Sequence, residues 1–271
     1  LYQGEAGVRG GCIESTGGDV TLLGLSISQC EAATDGGAIR ASGSLTTSGT
    51  LLSLNIAGGD GGGVFVDGSW LSNGDIVEDN SSLSGGGAAL TGPATLAGTV
   101  ISNNDASADG GGLQIRGSTL DCWGCSIDDN TAGGRGGGIM TNGSSVLVLN
   151  GAHLFGNEAG GDGGAVAMNH GATAEITNSQ LQSNDAGGSG GGLYYDDGDG
   201  VVLSTAVVLR GTYVTLNTAQ SGHGGGMYLH NSALELYNSY VWSNETESGD
   251  GGGLYAERMG FIRVSQSVFC D

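Results

Sequence analysis

Three tyrosines occupy the same place in a repeated sequence pattern. Tyr194, Tyr228 and Tyr255 each follow three glycines and one apolar residue. If the copies of this pattern stack, the rings lie about 5 Å apart and form an outward-facing aromatic row. An exposed row of rings can stack on sugar rings or bury area against a partner. The alternative is that the stacked tyrosines only stabilise parallel strands.

Carboxylates recur directly before the glycine clusters, which makes this position a candidate metal site. Asp60, Asp162 and Asp250 are the candidate ligands of a Ca²⁺ ion. Like charges about 5 Å apart repel by roughly 1 kcal/mol in water, and calcium or sodium would relieve that repulsion. The same position holds Asp35, Asp109, Arg9, Arg135 and His223 in other copies. The alternative is a row of solvated corner residues without a metal.

A group of carboxylates and a histidine is the candidate for catalysis. Asp196, Asp197 and Asp199 lie in the one copy that is longer than its neighbours, and His223 follows them. Hydrolysis of a glycosidic bond needs two carboxyl groups about 5–9 Å apart. We expect the extra residues, around 196–206, to form a loop that either binds a ligand or is a tolerated insertion. The other copies are regular, and no residue is assigned a catalytic role.

The five cysteines are Cys12, Cys30, Cys122, Cys125 and Cys270. Cys122 and Cys125 have the CxxC spacing that opens a helix in redox proteins, but here the pair lies in a strand-rich repeat. A zinc site would need further ligands close by in the sequence. We therefore expect structural disulfides or buried thiols, with the pairing left open and Cys270 without an obvious partner.

The glycine clusters set the period that positions all these residues. The apolar residues that follow the clusters are Ile13, Ile39, Val64, Ala88, Leu113, Ile139, Val166, Leu193, Met227 and Leu254. Successive members are 24 to 27 residues apart, except for the 34 residues between Leu193 and Met227. A fixed period near 25 is the signature of a solenoid, in which each repeat contacts only its neighbours.

A second marker, an asparagine with an apolar residue three positions before it, precedes each glycine cluster. These asparagines are Asn55, Asn80, Asn104, Asn130, Asn157, Asn184, Asn217 and Asn244, and Cys30 takes the place of the asparagine in an earlier copy. Stacked asparagines can turn a corner in the left-handed backbone conformation and hydrogen-bond along the stack. We expect them to form a structural ladder, with the glycines supplying the corners that a Cβ atom would obstruct.

Between the markers, apolar and polar residues alternate with a period of two, which indicates short strands with one buried face. Such strands bury that face only if successive copies pair in parallel. We therefore predict an all-β, single-domain, right-handed parallel β-helix over residues 1–271. We expect about ten coils, each with three short strands and three corners, and we expect the chain to be an excerpt of a longer one.

Composition restricts the partners. The chain has 58 glycines, one proline, no lysine and a formal net charge of −21. Phosphate backbones and anionic lipids would repel it, so we expect no nucleic acid partner. No apolar run approaches the roughly 20 residues of a membrane-spanning helix, so we expect no membrane insertion by this segment. An acidic surface is typical of a soluble extracellular protein.

The repeats resemble those of the chlamydial polymorphic outer membrane proteins, whose motifs are GGA[ILV] and FxxN. The best matches are Gly163-Gly164-Ala165-Val166, Gly36-Gly37-Ala38-Ile39 and Phe269-Cys270-Asp271. Most copies here have a third glycine, and most have Val, Ile or Leu in place of Phe. Similar repeats occur in other secreted bacterial β-helix proteins. The resemblance implies a right-handed β-helix adhesin at the bacterial surface, and it names no ligand.

These observations favour a non-enzymatic protein in the extracellular space or on the outer surface of a bacterial cell, acting as an adhesin, a stalk or a filament-forming building block. We expect its partners to be further copies stacked end to end or flanking β-helix coils, together with host-surface or matrix glycans. The alternative is a carbohydrate-active enzyme, either a polysaccharide lyase or a glycosidase, or a β-helix that binds glycans without turnover.

Overall fold

The computed structural model describes residues 1–198 and 207–270. Within this part of the chain there are strands and no helix, and the strands stack as about ten coils of a parallel solenoid. The predicted parallel β-helix is thereby confirmed. The coils have four strands each where the sequence predicts three, because a two-residue strand follows the asparagine. None of the described residues forms a helix that is long and apolar enough to cross a membrane.

Two of the four parallel sheets flank the glycine corner. The post-asparagine sheet, which the sequence analysis missed, consists of Glu5–Ala6, Glu31–Ala32, Ile56–Ala57, Ser81–Ser82, Asp105–Ala106, Thr131–Ala132, Glu158–Ala159, Asp185–Ala186, Thr218–Ala219 and Glu245–Thr246. The post-glycine sheet consists of Ile13–Ser15, Ile39–Ala41, Val64–Val66, Ala88–Leu90, Leu113–Arg116, Ile139–Asn142, Val166–Asn169, Leu193–Asp196, Met227–His230 and Leu254–Glu257.

The other two sheets complete each coil. The middle sheet consists of Val20–Leu23, Leu45–Ser48, Trp70–Asn73, Ala94–Ala97, Thr119–Trp123, Val146–Asn150, Thr173–Thr177, Val207–Arg210, Ala233–Tyr237 and Phe261–Ser265. The pre-asparagine sheet consists of Ser26–Ser28, Leu51–Ser53, Ile76–Glu78, Val100–Ser102, Ser126–Asp128, His153–Phe155, Gln180–Gln182, Tyr213–Thr215, Tyr240–Trp242 and Val268–Cys270.

The core is a set of columns in which apolar residues of one coil pack on the equivalent residues of the next. Ile101, for example, pairs with Ile127, and Ile127 pairs with Leu154. All three side chains are fully buried. Because side chains alternate between the two faces of a strand, the residues on either side of each core residue point away from the core.

The eight asparagines form the predicted ladder inside the solenoid. The Asn104 side-chain nitrogen donates to Asn130 Oδ1 at 3.0 Å, and the backbone nitrogen of Asn104 donates to the same oxygen at 3.0 Å. The equivalent side-chain bonds from Asn55 to Asn244 measure 2.9 to 3.0 Å. The ladder side chains are buried, so these bonds satisfy polar groups that would otherwise lack water.

The left-handed backbone predicted for the ladder asparagines lies one residue earlier. Leu54 has φ 58°, Asp79 has φ 55° and Ser243 has φ 50°, and each directly precedes a ladder asparagine. Among the described residues, no ladder asparagine has a positive φ. The residue before the asparagine therefore makes the turn, and the asparagine itself directs its amide into the stack.

The glycine clusters have the predicted corner role. Gly61 has φ +71°, which strains any residue with a Cβ atom. At Gly62, a Cβ atom would lie 2.3 Å from the backbone oxygen of Gly86 in the next coil. The first glycine thus supplies the turn, and the second allows two coils to approach closely.

Two disulfides lie within the solenoid. Cys12 is bonded to Cys30, and Cys122 is bonded to Cys125, whereas Cys270 is a free, exposed thiol. Cys30 takes the ladder position of the coil that precedes Asn55, and its backbone nitrogen donates to Asn55 Oδ1 at 3.0 Å. This disulfide therefore joins the ladder position of a coil without a ladder asparagine to Cys12, which directly follows the glycines Gly10 and Gly11.

Candidate functional site

The predicted tyrosine row forms a stack, but it is not an open surface. The rings of Tyr194 and Tyr228 are 5.1 Å apart, and those of Tyr228 and Tyr255 are 5.6 Å apart. Tyr194 is only 6% exposed, and Tyr228 and Tyr255 are half-buried. The expectation of an outward, exposed row is therefore wrong for Tyr194. Ligand binding by Tyr228 and Tyr255 stays a prediction.

Tyr194 is buried because charged residues from the glycine corner reach over the post-glycine sheet. The Arg135 guanidinium carbon lies 5.6 Å from the centre of the Tyr194 ring, and Arg135 Nε lies 3.2 Å from an Asp162 carboxylate oxygen. Ala167 occupies the position equivalent to Tyr194 in the previous coil. Its small side chain leaves space for the guanidinium group of Arg135. Tyr194 is thus enclosed between Arg135 and Tyr228, together with Met140.

The same covering occurs earlier along this sheet. Arg116, at the end of a post-glycine strand, forms an ion pair with Asp60, which lies before the glycines two coils away. Asp60 lies at one edge of the sheet and Arg116 at the other. The ion pair therefore passes over the strand of the intervening coil, which contains Ala89. Ala89 is buried although it points away from the core. Arginines therefore cover much of the outer face of this sheet.

Enclosure changes the pKa values of the tyrosine hydroxyls. Burial, followed by the charges of Asp162 and Asp196, raises the pKa of Tyr194 above its ordinary value. Burial, followed by the charge of Asp196, also raises the pKa of Tyr228. Both rings therefore stay neutral at physiological pH, and neither is an acid or base suited to reaction near pH 7.

The carboxylates before the glycines bind backbone and arginine groups. Asp162 accepts from the backbone nitrogen of Ser189 at 2.9 Å and pairs with Arg135. Asp60 pairs with Arg116, whereas the carboxylate of Asp250 is largely exposed and lies 3.8 Å from His223 Nδ1. Within residues 1–198 and 207–270, no group of three His, Cys, Asp or Glu side chains could hold a metal ion. The geometry of these aspartates thus gives the predicted Ca²⁺ site no support.

The residues proposed for catalysis are not brought together as expected. Asp196 contacts His230 rather than His223, with 2.7 Å between Asp196 Oδ1 and His230 Nδ1. Asp197 accepts instead from the backbone nitrogen of Gly171 at 2.6 Å. His223 lies at the opposite edge of the post-glycine sheet from Asp196. It stacks on Tyr255, with 4.4 Å between the ring centres.

Asp196 lies in a small polar network at the start of the long copy. It accepts hydrogen bonds from Tyr194 Oη at 3.2 Å and from the backbone nitrogen of Gly198 at 2.7 Å. Burial alone would raise the pKa of Asp196, but the hydrogen bonds from His230, Gly198 and Tyr194 outweigh it and lower the pKa. Asp199 and the rest of the predicted insertion to residue 206 lie outside the described residues.

An open aromatic surface exists on a different sheet. Tyr213, Tyr240 and Trp242 lie on the outer face of the pre-asparagine sheet, where Tyr213 is 46% and Trp242 is 52% exposed. With Leu216 they line a trough of about 540 Å³. Tyr213 and Tyr240 stack with their ring centres 5.0 Å apart. We refer to this surface as the aromatic trough.

The trough results from the sizes of neighbouring side chains. One column of the sheet runs Gln180, Tyr213, Tyr240, and the parallel column runs Gln182, Thr215, Trp242. Thr215 is buried between its two larger column neighbours, so a small side chain forms the floor. The side-chain amides of Gln180 and Gln182 close one end of the trough.

A sequence signal for the trough exists, although the glycine and asparagine markers alone do not reveal it. The core residue Val214 lies three positions before Asn217, and Val241 lies three positions before Asn244. The residues on either side of these core residues must point outward because strand side chains alternate. Aligning them would place Tyr213 over Tyr240 and Thr215 over Trp242.

None of the protein families, curated proteins or solved structures with which the chain was compared matches it. The fold and the geometry of its surfaces therefore carry the functional interpretation.

Proposed function

We propose that this chain is a non-enzymatic extracellular β-helix that acts as an adhesin, with the aromatic trough as its contact surface. The observation that carries the proposal is the trough itself, which places three large aromatic side chains in solvent on a rigid solenoid. Exposed apolar patches on soluble proteins commonly mark interaction sites. The ladder and the stacked core hold the trough residues in register, so little ordering is needed on binding.

Further observations support an extracellular location. Two disulfides lie inside the solenoid, and stable disulfides are typical of oxidising compartments outside the cytosol. The net charge of −21 favours solubility. The resemblance of the glycine and asparagine motifs to the polymorphic outer membrane protein repeats is consistent with a bacterial surface adhesin.

A retention assay tests the adhesive function. The full chain is incubated with insoluble polysaccharides and with immobilised extracellular matrix proteins, and the bound fraction is measured. We expect retention on at least one material without release of sugar products. Retention on none of the materials would contradict adhesion. Release of reducing ends or unsaturated products would replace it with enzymatic activity.

A carbohydrate-active enzyme is the second candidate, favoured by the network of Tyr194, Asp196 and His230. Asp196 pairs with a histidine beside the long copy, which is an arrangement found in acid–base catalysis. The same assay decides between the candidates. If products are released, Asp196→Asn must abolish their release, because its carboxylate is the group that this mechanism requires.

A further inference from the structure

The chemistry of the aromatic trough restricts its ligand, and this inference rests on the proposed adhesive function. The described side chains that line the trough are aromatic, aliphatic, amide, hydroxyl and thiol groups, with no charged side chain among them. The chain as a whole carries a net charge of −21. An anionic ligand would approach against this field and find no cation in the trough. A cationic ligand would find no carboxylate among these described lining residues.

The size of the trough favours a small or chain-like ligand over a folded protein. Its volume of about 540 Å³ lies within the range of about 300–1,000 Å³ that is typical of small-molecule sites. Such sites combine apolar walls with a few polar groups that orient the ligand. Stable protein interfaces bury about 800 Å² on each partner, which is a larger and flatter surface.

The arrangement of the rings identifies Trp242 as the main contact. The facing sides of Tyr213 and Tyr240 are occupied by their own stack. Among the ring contacts of the described residues, Trp242 has no stacked partner. The Trp242 ring is therefore free to pack against an apolar ligand face. The amides of Gln180 and Gln182, two coils away, can each donate and accept hydrogen bonds.

We propose that the aromatic trough binds an uncharged glycan chain that lies along the solenoid axis. A pyranose ring has an apolar face of C–H groups and an edge of hydroxyl groups, and the trough offers matching partners for both. The sugar face packs on Trp242 and Leu216, and the hydroxyl groups bond to Gln180 and Gln182. Equivalent positions in successive coils are about 4.8 Å apart, which is close to the length of one sugar unit.

Calorimetric titration of the full chain with oligosaccharides tests this proposal. The probes are neutral glucans and mannans, compared with anionic oligogalacturonates and alginate fragments. We expect binding of at least one neutral probe and none of the anionic probes. Trp242→Ala should weaken binding by about 30-fold, as expected for the loss of a central aromatic contact. Trp242→Phe should retain most of the affinity.

Trp123 provides a matched control. It is 50% exposed on the middle sheet, but its neighbours in adjacent coils are Ala97 and Asn150 rather than aromatic residues. Trp123→Ala should leave binding unchanged. Equal losses in Trp123→Ala and Trp242→Ala would overturn the assignment of the site.

Other outcomes separate this proposal from the adhesive function on which it rests. Retention on a surface that persists in Trp242→Ala would overturn the trough as the glycan site while leaving adhesion intact. Preferential binding of anionic probes would overturn the neutral ligand class. Sedimentation that shows self-association of the full chain, abolished by Trp242→Ala, would reassign the trough as an interface between two copies.

Discussion

Two tyrosine pairs in this molecule have nearly the same stacking distance and very different surroundings. Tyr194 and Tyr228 stack at 5.1 Å on the post-glycine sheet, and Tyr213 and Tyr240 stack at 5.0 Å on the pre-asparagine sheet. In both pairs the rings point away from the core. Tyr194 is nevertheless 6% exposed and Tyr213 is 46% exposed. The stack alone therefore does not decide whether an outward residue meets solvent.

The difference lies in what borders each sheet. The post-glycine sheet is flanked by charged corner residues, and Arg135 extends across two coils to lie over Tyr194. Beside the aromatic trough, the corner residue Leu216 is apolar, and the parallel column has buried Thr215 as its floor. A solenoid can therefore turn the same outward column into a covered layer or a binding surface through a few flanking side chains.

Truncating one member of each pair measures this difference most directly. Tyr194→Ala should lower the free energy of unfolding by about 2–4 kcal/mol, because it opens a cavity beneath Arg135. Tyr213→Ala should lower it by less than about 1 kcal/mol, because Tyr213 is 46% exposed and its loss opens no enclosed cavity. Both variants lose one aromatic stack of similar geometry, and Tyr194→Ala also loses the contact with Arg135 and the hydrogen bond to Asp196 that accompany its burial. Urea unfolding followed by circular dichroism gives both values.

A third variant, at Met140, checks this comparison. Met140→Ala, next to the covered tyrosines, should behave as Tyr194→Ala does, with a loss of about 2–4 kcal/mol. Equal destabilisation by Tyr194→Ala and Tyr213→Ala would mean that stacking dominates and that burial of the post-glycine face adds little.

Alkaline pH should lower the free energy of unfolding through the enclosed tyrosine Tyr194. The raised pKa of Tyr194 means that the folded protein keeps a proton that the unfolded chain loses near pH 10. The corresponding stabilisation is complete below that pH and is lost as the pH rises through the folded-state pKa. Unfolding free energies measured between about pH 9 and 11 should fall by up to about 1.4 kcal/mol per pH unit for each such tyrosine above pH 10.

Phenylalanine substitutions locate the groups responsible for this slope. Tyr194→Phe should flatten it, because it keeps the ring and removes the titrating hydroxyl. Burial also raises the pKa of Tyr195, which points into the core, so the double variant with Tyr195→Phe should be flatter still. If Tyr194→Phe retains the full slope, the hydroxyl of Tyr194 does not titrate as an enclosed group.

The sequence predicts the solenoid well because the positions with the strictest backbone and hydrogen-bonding requirements recur at a fixed spacing. A positive φ and a close backbone approach require glycine at Gly61 and Gly62, and a buried amide ladder requires asparagine at Asn80. These requirements repeat in most coils, so a period is visible without an alignment. The two-residue post-asparagine strands were missed because Glu158–Ala159 is too short to show any alternation.

The repeat period could not predict which outward-facing tyrosines are exposed to solvent. Whether Tyr194 is covered depends on Arg135, which is 59 residues away in sequence and acts through a side chain rather than through the backbone register. The left-handed position before each asparagine is equally hard to find, because Leu54, Asp79 and Gly156 all occupy it. Side-chain reach across coils is a tertiary property that alternation does not encode.

The smallest expected effect concerns the arginine that covers Tyr194. Arg135→Gln removes a cation from the Tyr194 ring and a partly exposed ion pair with Asp162. We expect a loss of about 0.5–1 kcal/mol in unfolding free energy, reduced further at high salt because the ion pair is screened. Nitration of Tyr194 by tetranitromethane should become faster, since its ring loses the group that covers it.

Arg9 supplies the matched control for this last prediction. It occupies the same position before a glycine cluster, and its contact with Asp35 is long, at 4.0 Å. Arg9→Gln should leave both stability and Tyr194 nitration unchanged. If Arg135→Gln destabilises the fold without faster nitration, the arginine contributes only its ion pair, and the burial of Tyr194 must come from Tyr228 and Met140 instead.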